Sequence, residues 1–389
     1  MLSKNIRFKN FSNKSKNLSV YRIFKDLQNN YLNNKMKILS TLSHNYKYNY
    51  NKKILHKYRN FKNFIIVGIG GSILGAKAIH QFLNHKIKKN FFFVDNLEPK
   101  LDLQKKKFVN LIISKSGDTL ETISNSNLLI DNNKKNIFIV GNKNSYLNNL
   151  ASNIKADIIE HKNYIGGRYS VLSEAGMLPA ELMGLNEKKF KRLNYLIKNK
   201  KFVNNLIGNV TNTLNLVRNK KYLSIILNYD RSSENLFSWY QQLIAESLGK
   251  KSKGILPLVS TMPKDNHSLM QFYLDGPKKS FYTFFSVLAK NSNKINSKYL
   301  LKSHPYLRNK SLSKIINSQI VATQNIFKRK KIPFRSFEIL KRNEQSLGEI
   351  FCFFILETIL LGRALKVNPF DQPSVELIKK ETKKILIRN

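Results

Sequence analysis

The sequence predicts an α/β protein made of two packed units, each built around a parallel sheet. The chain has 389 residues, of which 42% are apolar, and a single hydrophobic core usually stops growing near ~250 residues. From about residue 62, short apolar or aromatic runs alternate with longer amphipathic stretches, which is the pattern of βαβ units. The runs are continuously apolar, as expected for strands buried on both faces of a sheet.

The apolar runs form two series, separated by a lysine-rich stretch at 185–206 that we predict to be helical. The first series of predicted strands covers residues 64–67, 91–94, 109–113, 137–140 and 157–159. The second series covers residues 222–227, 254–258, 281–285 and 334–337. We therefore expect one domain at 1–200 and a second at 201–389, with the polar first sixty residues forming helices that pack around the first unit.

The chain is strongly basic, with a formal net charge of +44 from 68 Lys and Arg residues against 24 Asp and Glu residues. The lysines are spread through the whole chain together with many Asn and Ile residues, which we attribute to compositional drift toward AT-rich codons. A nucleic-acid-binding protein would place its basic residues on one face, with interleaved aromatic residues or a recognised motif. Neither pattern is found, so we expect nonspecific attraction of polyanions but no specific nucleic-acid partner.

The sequence predicts a cytoplasmic protein without a membrane span. The longest apolar run, 350–361, is interrupted by Glu357 and is shorter than the ~20 residues that cross a bilayer. The N-terminus lacks the apolar segment of a secretory signal. Cys352, the one cysteine, excludes an intramolecular disulfide and is expected to be a buried, inert thiol. No HxxxH or comparable cluster suggests a metal site.

A glycine-rich turn, 67–75 (VGIGGSILG), connects the first predicted strand to a helix. Such a turn lets backbone N–H groups approach an anion at the positive end of a helix. A dinucleotide fingerprint requires glycine at position 73, where this chain has Ile73, and no Walker lysine follows. The turn therefore disfavours NAD and ATP, and by itself it is equally compatible with a tight structural corner.

A second loop, 113–122 (ISKSGDTLET), follows the third predicted strand and is rich in hydroxyls. Ser114, Ser116 and Thr119 lie on one turn that enters a helix, so several O–H donors and the helix dipole can converge on one phosphate. The structural alternative is a helix N-cap. Both loops end strands of the same sheet, and ligands of such sheets bind at the carboxyl ends of the strands, at a topological switch point. A small sugar phosphate fits such a crevice.

Together the two loops resemble the sugar isomerase (SIS) domain, and four further segments narrow the resemblance to the phosphoglucose isomerase family. Segments 165–173 (IGGRYSVLS) and 370–379 (FDQPSVELIK) resemble the two diagnostic patterns of that family. Between them, residues 242–250 and 265–271 resemble its catalytic-glutamate and catalytic-histidine segments. The match covers roughly residues 60–385. It implies two flavodoxin-like, doubly wound αβα domains with extra helices at both termini.

The resemblance implies that Glu246 is the base that moves a proton between neighbouring carbons. The sequence places it in a helix beginning near Ser233 and ending at Gly249, with Gln242 one turn earlier on the same face. Arg168 is implied to stabilise the negative charge of an enediolate, a task that suits a permanently charged guanidinium. Without the motifs, Glu246 would be read as a solvated carboxylate and Arg168 as a surface cation.

The same resemblance assigns ring opening to His267 and Lys379, since groups that exchange protons near neutrality suit this step. Without it, both would be read as surface residues, as we expect for the other six histidines. The implied substrate-binding residues are Gly71, Ser72, Ser114, Lys115, Ser116, Thr119, Gly167, Gln242 and Gln372.

The implied reaction is the reversible isomerisation of glucose 6-phosphate and fructose 6-phosphate in glycolysis and gluconeogenesis, by proton transfer between C1 and C2 through a cis-enediol(ate). The resemblance further implies a homodimer with shared active sites and no metal or other cofactor. Two departures, Ser374 in place of the usual glycine and the short chain, bear on substrate preference and stability. The alternatives are a dual phosphoglucose and phosphomannose isomerase and a non-catalytic sugar-phosphate sensor.

Overall fold

The computed structural model describes residues 1–11, 17–98, 107–131, 135–289 and 291–388. In this part of the chain the strands are β1 Ile6–Lys9, β2 Asn63–Val67, β3 Asn90–Val94, β4 Val109–Ser114, β5 Lys135–Val140, β6 Asp157–Glu160, β7 Leu223–Asn228, β8 Leu256–Thr261, β9 Ser280–Val287 and β10 Phe334–Ile339. The α-helices are α1 Leu18–Leu32, α2 Lys52–Tyr58, α3 Leu74–Phe82, α4 Leu120–Leu129, α5 Tyr146–Asn153, α6 Glu174–Leu182, α7 Leu193–Leu196, α8 Lys200–Arg218, α9 Glu234–Leu248, α10 Met270–Asp275, α11 Leu312–Arg329, α12 Glu344–Ala364 and α13 Val375–Arg388.

The strands form two five-stranded sheets, and every strand predicted from the sequence is present. The first sheet has the order β3-β2-β4-β5-β6 and is parallel throughout. The second has the order β1-β10-β9-β7-β8, in which β7 to β10 are parallel. Counted within each unit, the parallel strands run 2-1-3-4-5 and 2-1-3-4, the flavodoxin-like order. The predicted α/β fold class with doubly wound parallel sheets is confirmed.

The N-terminal segment departs from the prediction. Residues Ile6–Lys9 form β1, which pairs antiparallel with β10 at the edge of the second sheet, and α1 packs against α8 and α12. The expectation that the first sixty residues form only helices around the first unit is therefore wrong. Ile6 and Phe8 are buried while Arg7 and Lys9 are exposed, an alternation suited to a strand with one buried face. Four residues gave too short a pattern to be recognised in the sequence.

The two sheets share one hydrophobic core. On β2, Phe64 and Ile66 face this shared core, whereas Ile65 and Val67 face a separate cluster on the other side of the sheet. The second sheet repeats this arrangement, since Ile226 faces the shared core and its neighbours on β7 face a third cluster. Successive side chains of a strand point to opposite faces, so both sheets are covered by apolar side chains on both faces.

The helical stretch expected at 185–206 is divided into pieces. It contains a short 3₁₀ helix at Glu187–Phe190, then α7 and the first turns of α8. The side chains of Asn186 and Asn199 accept hydrogen bonds from amides of the following turn, and asparagine is among the preferred N-cap residues. The predicted domain boundary near residue 200 falls at the start of α8, and the division of the chain there stays a prediction.

The apolar run 350–361 lies in α12, which is buried through most of its length. Cys352 is fully buried there, as expected, and burial raises the pKa of its thiol to about 12. Glu357, the charge that interrupts the run, forms a fully buried ion pair with Arg335. Of the helices that the structure describes, none combines the length and apolarity needed to span a bilayer.

Candidate active site

The glycine-rich turn and the hydroxyl-rich loop lie side by side at the carboxyl ends of β2 and β4, which are adjacent parallel strands. After β2 the chain forms a single 3₁₀ turn at Gly70–Ser72 before α3 begins. β2 also borders β3, so the strand order reverses at this position. The two loops therefore occupy the switch point at which ligands of doubly wound sheets bind.

The three hydroxyls of the second loop converge. The Ser114 and Ser116 oxygens lie 3.1 and 3.2 Å from the Thr119 oxygen. Ser114 Oγ also accepts a hydrogen bond from the Gly117 amide at 3.1 Å. Thr119 occupies the N-cap position of α4, but its side chain makes no capping hydrogen bond. The Thr119 hydroxyl therefore does not act as a helix N-cap. It bridges the two serine hydroxyls instead.

Lys115 adds a positive charge to the same loop. Its side chain is partly buried, and burial lowers the pKa of its ammonium group. The charge of Arg168 lowers the same pKa further, which means that the two cations lie close enough to repel each other. An anion between them would relieve this repulsion, so the loop and Arg168 border one electropositive region.

The segment that carries Arg168 lies directly on the glycine-rich turn. Gly167–Leu172 forms a 3₁₀ turn, and Ser170 Oγ donates a 3.0 Å hydrogen bond to the Gly71 carbonyl. A Cβ atom at Gly71 would stand 2.1 Å from the carbonyl carbon of Gly167. The two backbones can approach this closely because Gly71 has no side chain.

Arg168 is buried and uses all five of its N–H donors. Its Nε donates to Ser247 Oγ at 2.8 Å, and its Nη2 donates to two backbone carbonyls of the segment before Gln372. Its Nη1 donates to Glu246 Oε2 at 3.1 Å and to Gln372 Oε1 at 2.6 Å. The guanidinium therefore holds together α9 and the C-terminal segment.

Glu246 and Gln242 project from one face of α9, as predicted. The helix ends at Gly249 as expected. Glu246 Oε1 accepts a 2.8 Å hydrogen bond from Gln242 Nε2, and a Cβ atom at Gly70 would stand 2.7 Å from that nitrogen. The Glu246 side chain remains 27% exposed, so its carboxylate is oriented by two donors while still open to a ligand.

His267 is not placed with this group. His267 follows the 3₁₀ turn Lys264–Asn266 after β8, and its side chain is exposed. In the described part of the chain, no hydrogen bond or ion pair joins its ring to Glu246 or Arg168. Lys379 lies on α13 and is exposed as well. The described site within one chain thus contains the base and the guanidinium but not His267.

Two of the six histidines that we expected on the surface are not exposed. His161 is fully buried and His80 is half-buried against Phe93, and burial lowers the pKa of both rings. The surface expectation is therefore wrong for these two residues. Within the described ranges, no group of three or more His, Cys, Asp or Glu side chains is placed to hold a metal ion.

Sequence reasoning missed the residues that hold the C-terminal segment. Tyr169 donates a 3.0 Å hydrogen bond to the Pro369 carbonyl, and Lys250 contacts both the backbone and the side chain of Asp371. Both residues lie in the quoted motifs, directly beside Arg168 and within four residues of Glu246. Their position in the motifs was a signal, but their partners lie more than 100 residues away in the chain.

Comparison with known proteins shows the family of this chain. The sequence model of the family described as phosphoglucose isomerase matches residues 30–262. This chain belongs to that family. Among similar curated proteins, the glucose-6-phosphate isomerases of Methanocaldococcus jannaschii and Mycoplasmopsis pulmonis are 31% and 32% identical to it. The first alignment covers 84% of this chain and 85% of the relative, and the second covers 87% and 88%.

The fold is likewise that of a solved structure. A hypothetical protein from Thermus thermophilus matches with a TM-score of 0.82 and 22% identity, over 98% of this chain and 99% of that one. The stretch matched by the phosphoglucose isomerase family contains both loops, Arg168 and Glu246. His267, Gln372 and Lys379 lie beyond it.

Proposed function

We propose that this member of the phosphoglucose isomerase family interconverts glucose 6-phosphate and fructose 6-phosphate, in glycolysis and gluconeogenesis. The observation that carries the proposal is the contact of Glu246 with Arg168 beside the hydroxyl-rich loop, at 3.1 Å. A carboxylate and a guanidinium held together at a sugar-phosphate crevice are the two groups that an aldose-ketose isomerisation needs. The two relatives named above are called glucose-6-phosphate isomerases, which supports the proposal.

Glu246 is the proposed base. It removes the proton from C2 of the open-chain aldose and returns it to C1, passing through a cis-enediol(ate). The carboxylate is held from both sides, by Gln242 at one oxygen and by Arg168 at the other. This fixes the direction of its lone pairs, and a well-oriented base contributes typically 10²–10⁴-fold to the rate.

Arg168 is the proposed stabiliser of the enediolate. Its Nη1 donates to two side-chain acceptors, Glu246 and Gln372, whereas its other donors are bound to Ser247 Oγ and to backbone carbonyls. The Nη1 edge is therefore the part of the guanidinium that faces the reacting groups. All five N–H donors already have protein acceptors, so Arg168 is proposed to act on the oxyanion through its fixed positive charge, which needs no reorganisation during the reaction.

The phosphate is proposed to lie on the hydroxyl-rich loop, with Ser114, Ser116 and Thr119 as donors and Lys115 as the countercharge. The N-terminus of α4 supplies amides and the positive end of the helix dipole. Gly71, Ser72, Gly167, Gln242 and Gln372 then line the sugar. A bound dianion would favour the charged form of Lys115 and so offset the burial and the Arg168 charge that lower its pKa.

Ring opening is proposed to use His267 and Lys379. Because His267 is exposed and makes no bond to Glu246 or Arg168 within one chain, we propose a homodimer in which the partner subunit's His267 completes the site. The proposal includes a cytoplasmic location, a reaction without metal, and a division into domains 1–200 and 201–389.

The test is a coupled assay of glucose 6-phosphate formation from fructose 6-phosphate, in the presence of a chelator. Glu246→Gln keeps the size of the side chain but removes the base, so we expect kcat to fall by about 10²–10⁴. Glu234→Gln, on the first turn of the same helix, is the matched control and should retain activity. If the wild type folds and binds a phosphosugar but is inactive, the enzyme proposal fails and a sugar-phosphate sensor takes its place. Comparable turnover of mannose 6-phosphate would make it a dual isomerase.

A further inference from the structure

The ammonium group of Lys250 joins the end of α9 to the loop before Gln372. Lys250 follows Gly249, the residue that ends α9. Its Nζ donates to the Asn368 carbonyl, to the Asp371 carbonyl at 2.6 Å and to Asp371 Oδ1 at 2.6 Å. An ammonium group has three donors, so all three protons of Lys250 are used on this one loop.

The loop is closed on itself around these contacts. Asn368 Nδ2 donates to Asp371 Oδ2 at 3.0 Å, and Asn368 Oδ1 accepts from the Phe370 amide at 3.0 Å. The hydrogen bond from Lys250 lowers the pKa of the Asp371 carboxyl. Lys250 therefore binds a preformed turn rather than a loose chain end.

The Asp371 carbonyl is the point at which two cations meet. It accepts from Arg168 Nη2 at 2.8 Å and from Lys250 Nζ at 2.6 Å. The next residue is Gln372, whose Oε1 lies 2.6 Å from Arg168 Nη1. A displacement of this carbonyl moves Gln372 directly, because one peptide unit separates them.

We propose that Lys250 is a positioning residue of the isomerase, which clamps loop 368–371 to the end of α9 and thereby sets the Gln372 amide against Arg168. The inference rests on the proposed function. Lys250 acts through Gln372 and touches no reacting atom. An exposed ion pair with Asp371 alone would contribute little, but two of the three bonds go to backbone carbonyls, so the position of the chain itself depends on them.

Three variants at two neighbouring lysines test the clamp in the fructose 6-phosphate assay. Lys250→Met keeps the length of the side chain but removes its donors, and we expect kcat/KM to fall at least tenfold, since displacements of about 1 Å can cost 10²-fold. Lys250→Arg keeps charge and donors and should retain most of the activity. Lys253→Met removes a lysine that donates to the Leu365 carbonyl, outside the loop, and should behave as the wild type.

A double-mutant cycle with Gln372→Ala distinguishes positioning from general structural support. If Lys250 acts through the Gln372 amide, Lys250→Met should cost less than about twofold once that amide is absent. Hydrogen exchange of the peptide that contains Phe370 should be faster in Lys250→Met and unchanged in Lys253→Met.

The outcomes separate this inference from the proposed function. A wild type without isomerase activity overturns the function. An active wild type with Lys250→Met at full kcat/KM overturns the clamp alone. The clamp is also overturned if Lys250→Met loses as much kcat/KM in the Gln372→Ala background as it does alone. Equal losses of kcat/KM for Lys250→Met and Lys253→Met overturn it as well. In either case the effect would be independent of the position of Gln372.

Discussion

Substitution of Gly71 by alanine tests whether the site depends on the close approach of the backbones at Gly71 and Gly167. The added Cβ would stand 2.1 Å from the carbonyl carbon of Gly167, 2.3 Å from its oxygen and 2.5 Å from the Arg168 amide nitrogen. All three atoms belong to the backbone, so no side-chain rotation relieves the overlap. Non-bonded carbon atoms rest about 3.5 Å apart, so the two segments must separate by roughly 1.4 Å.

This separation would move Arg168 away from the glycine-rich turn while α9 keeps Glu246 in place. A misplacement of about 1 Å can cost 10²-fold in rate, so we expect kcat/KM to fall about 100-fold in Gly71→Ala. Overpacking of a well-packed site also costs about 1–3 kcal/mol of stability. The protein should therefore remain folded and become a poor enzyme.

The matched control is Gly166→Ala, at the residue directly before the turn Gly167–Leu172 that Gly71 contacts. Gly166 has a φ of −68°, and a Cβ there would meet only Tyr169 Cδ2, at 3.6 Å. Steady-state kinetics and urea denaturation of both variants decide the question. Wild-type kcat/KM in Gly71→Ala, or an equal loss in Gly166→Ala, would refute the reasoning.

Four further predictions follow from the described contacts. Thr119→Val removes the hydroxyl that bridges the two serines, and KM for fructose 6-phosphate should rise about tenfold or more, since a hydrogen bond to a charged group contributes about 1.5–3 kcal/mol. Arg335→Met leaves Glu357 buried without its cation and should lower the free energy of unfolding by about 3–5 kcal/mol in urea titrations. Burial lowers the pKa of Lys191 to about 7. Between about pH 7 and the ordinary lysine pKa of 10.5, the unfolded chain therefore binds up to one more proton than the folded chain, and in this window the free energy of unfolding should rise with pH, relative to Lys191→Met, by up to about 1.4 kcal/mol per unit. Cys352, with its thiol pKa raised to about 12 by burial, should react with a thiol reagent only after denaturation.

Each of these predictions has a result that would contradict it. A large fall in kcat with unchanged KM for Thr119→Val would place the hydroxyl at the reacting centre rather than on the phosphate. If the double variant Arg335→Met/Glu357→Leu, which leaves no buried charge, were as unstable as Arg335→Met alone, the loss would reflect packing and not an unpaired charge. A parallel pH dependence of wild type and Lys191→Met would mean that Lys191 stays charged. Labelling of Cys352 at the same rate in the native protein would mean that α12 opens readily.

Local sequence patterns predicted the parallel strands and both loops. Strands buried on both faces produce apolar runs that are visible in a few consecutive residues, as in 64–67 and 109–113. The carboxyl ends of adjacent parallel strands meet at one edge, so the meeting of the glycine-rich turn with the hydroxyl loop could be inferred as well. The edge strand β1 could not, because its partner β10 lies more than 300 residues away and four residues carry little periodicity.

The candidate site likewise has contacts that local sequence predicts and contacts that depend on distant segments. Spacing alone placed Gln242 and Glu246 on one helix face, because residues four apart are neighbours on a helix. The contact of Arg168 with Glu246 and Gln372 joins residues 78 and 204 positions apart, and no local pattern encodes such a distance. The clamp formed by Lys250 belongs to this second group.

The sequence by itself determined the parallel strands and the chemical groups available to the site, and its family resemblance implied the flavodoxin-like arrangement of those strands. Tertiary structure decided which of those groups meet. It placed β1 in the second sheet, packed α9 across the glycine-rich turn and brought the C-terminal loop against Arg168. The physical reason is range, since periodicity and capping act over a few residues, whereas the shared core and the buried hydrogen bonds of Arg168 form only when distant segments are packed together.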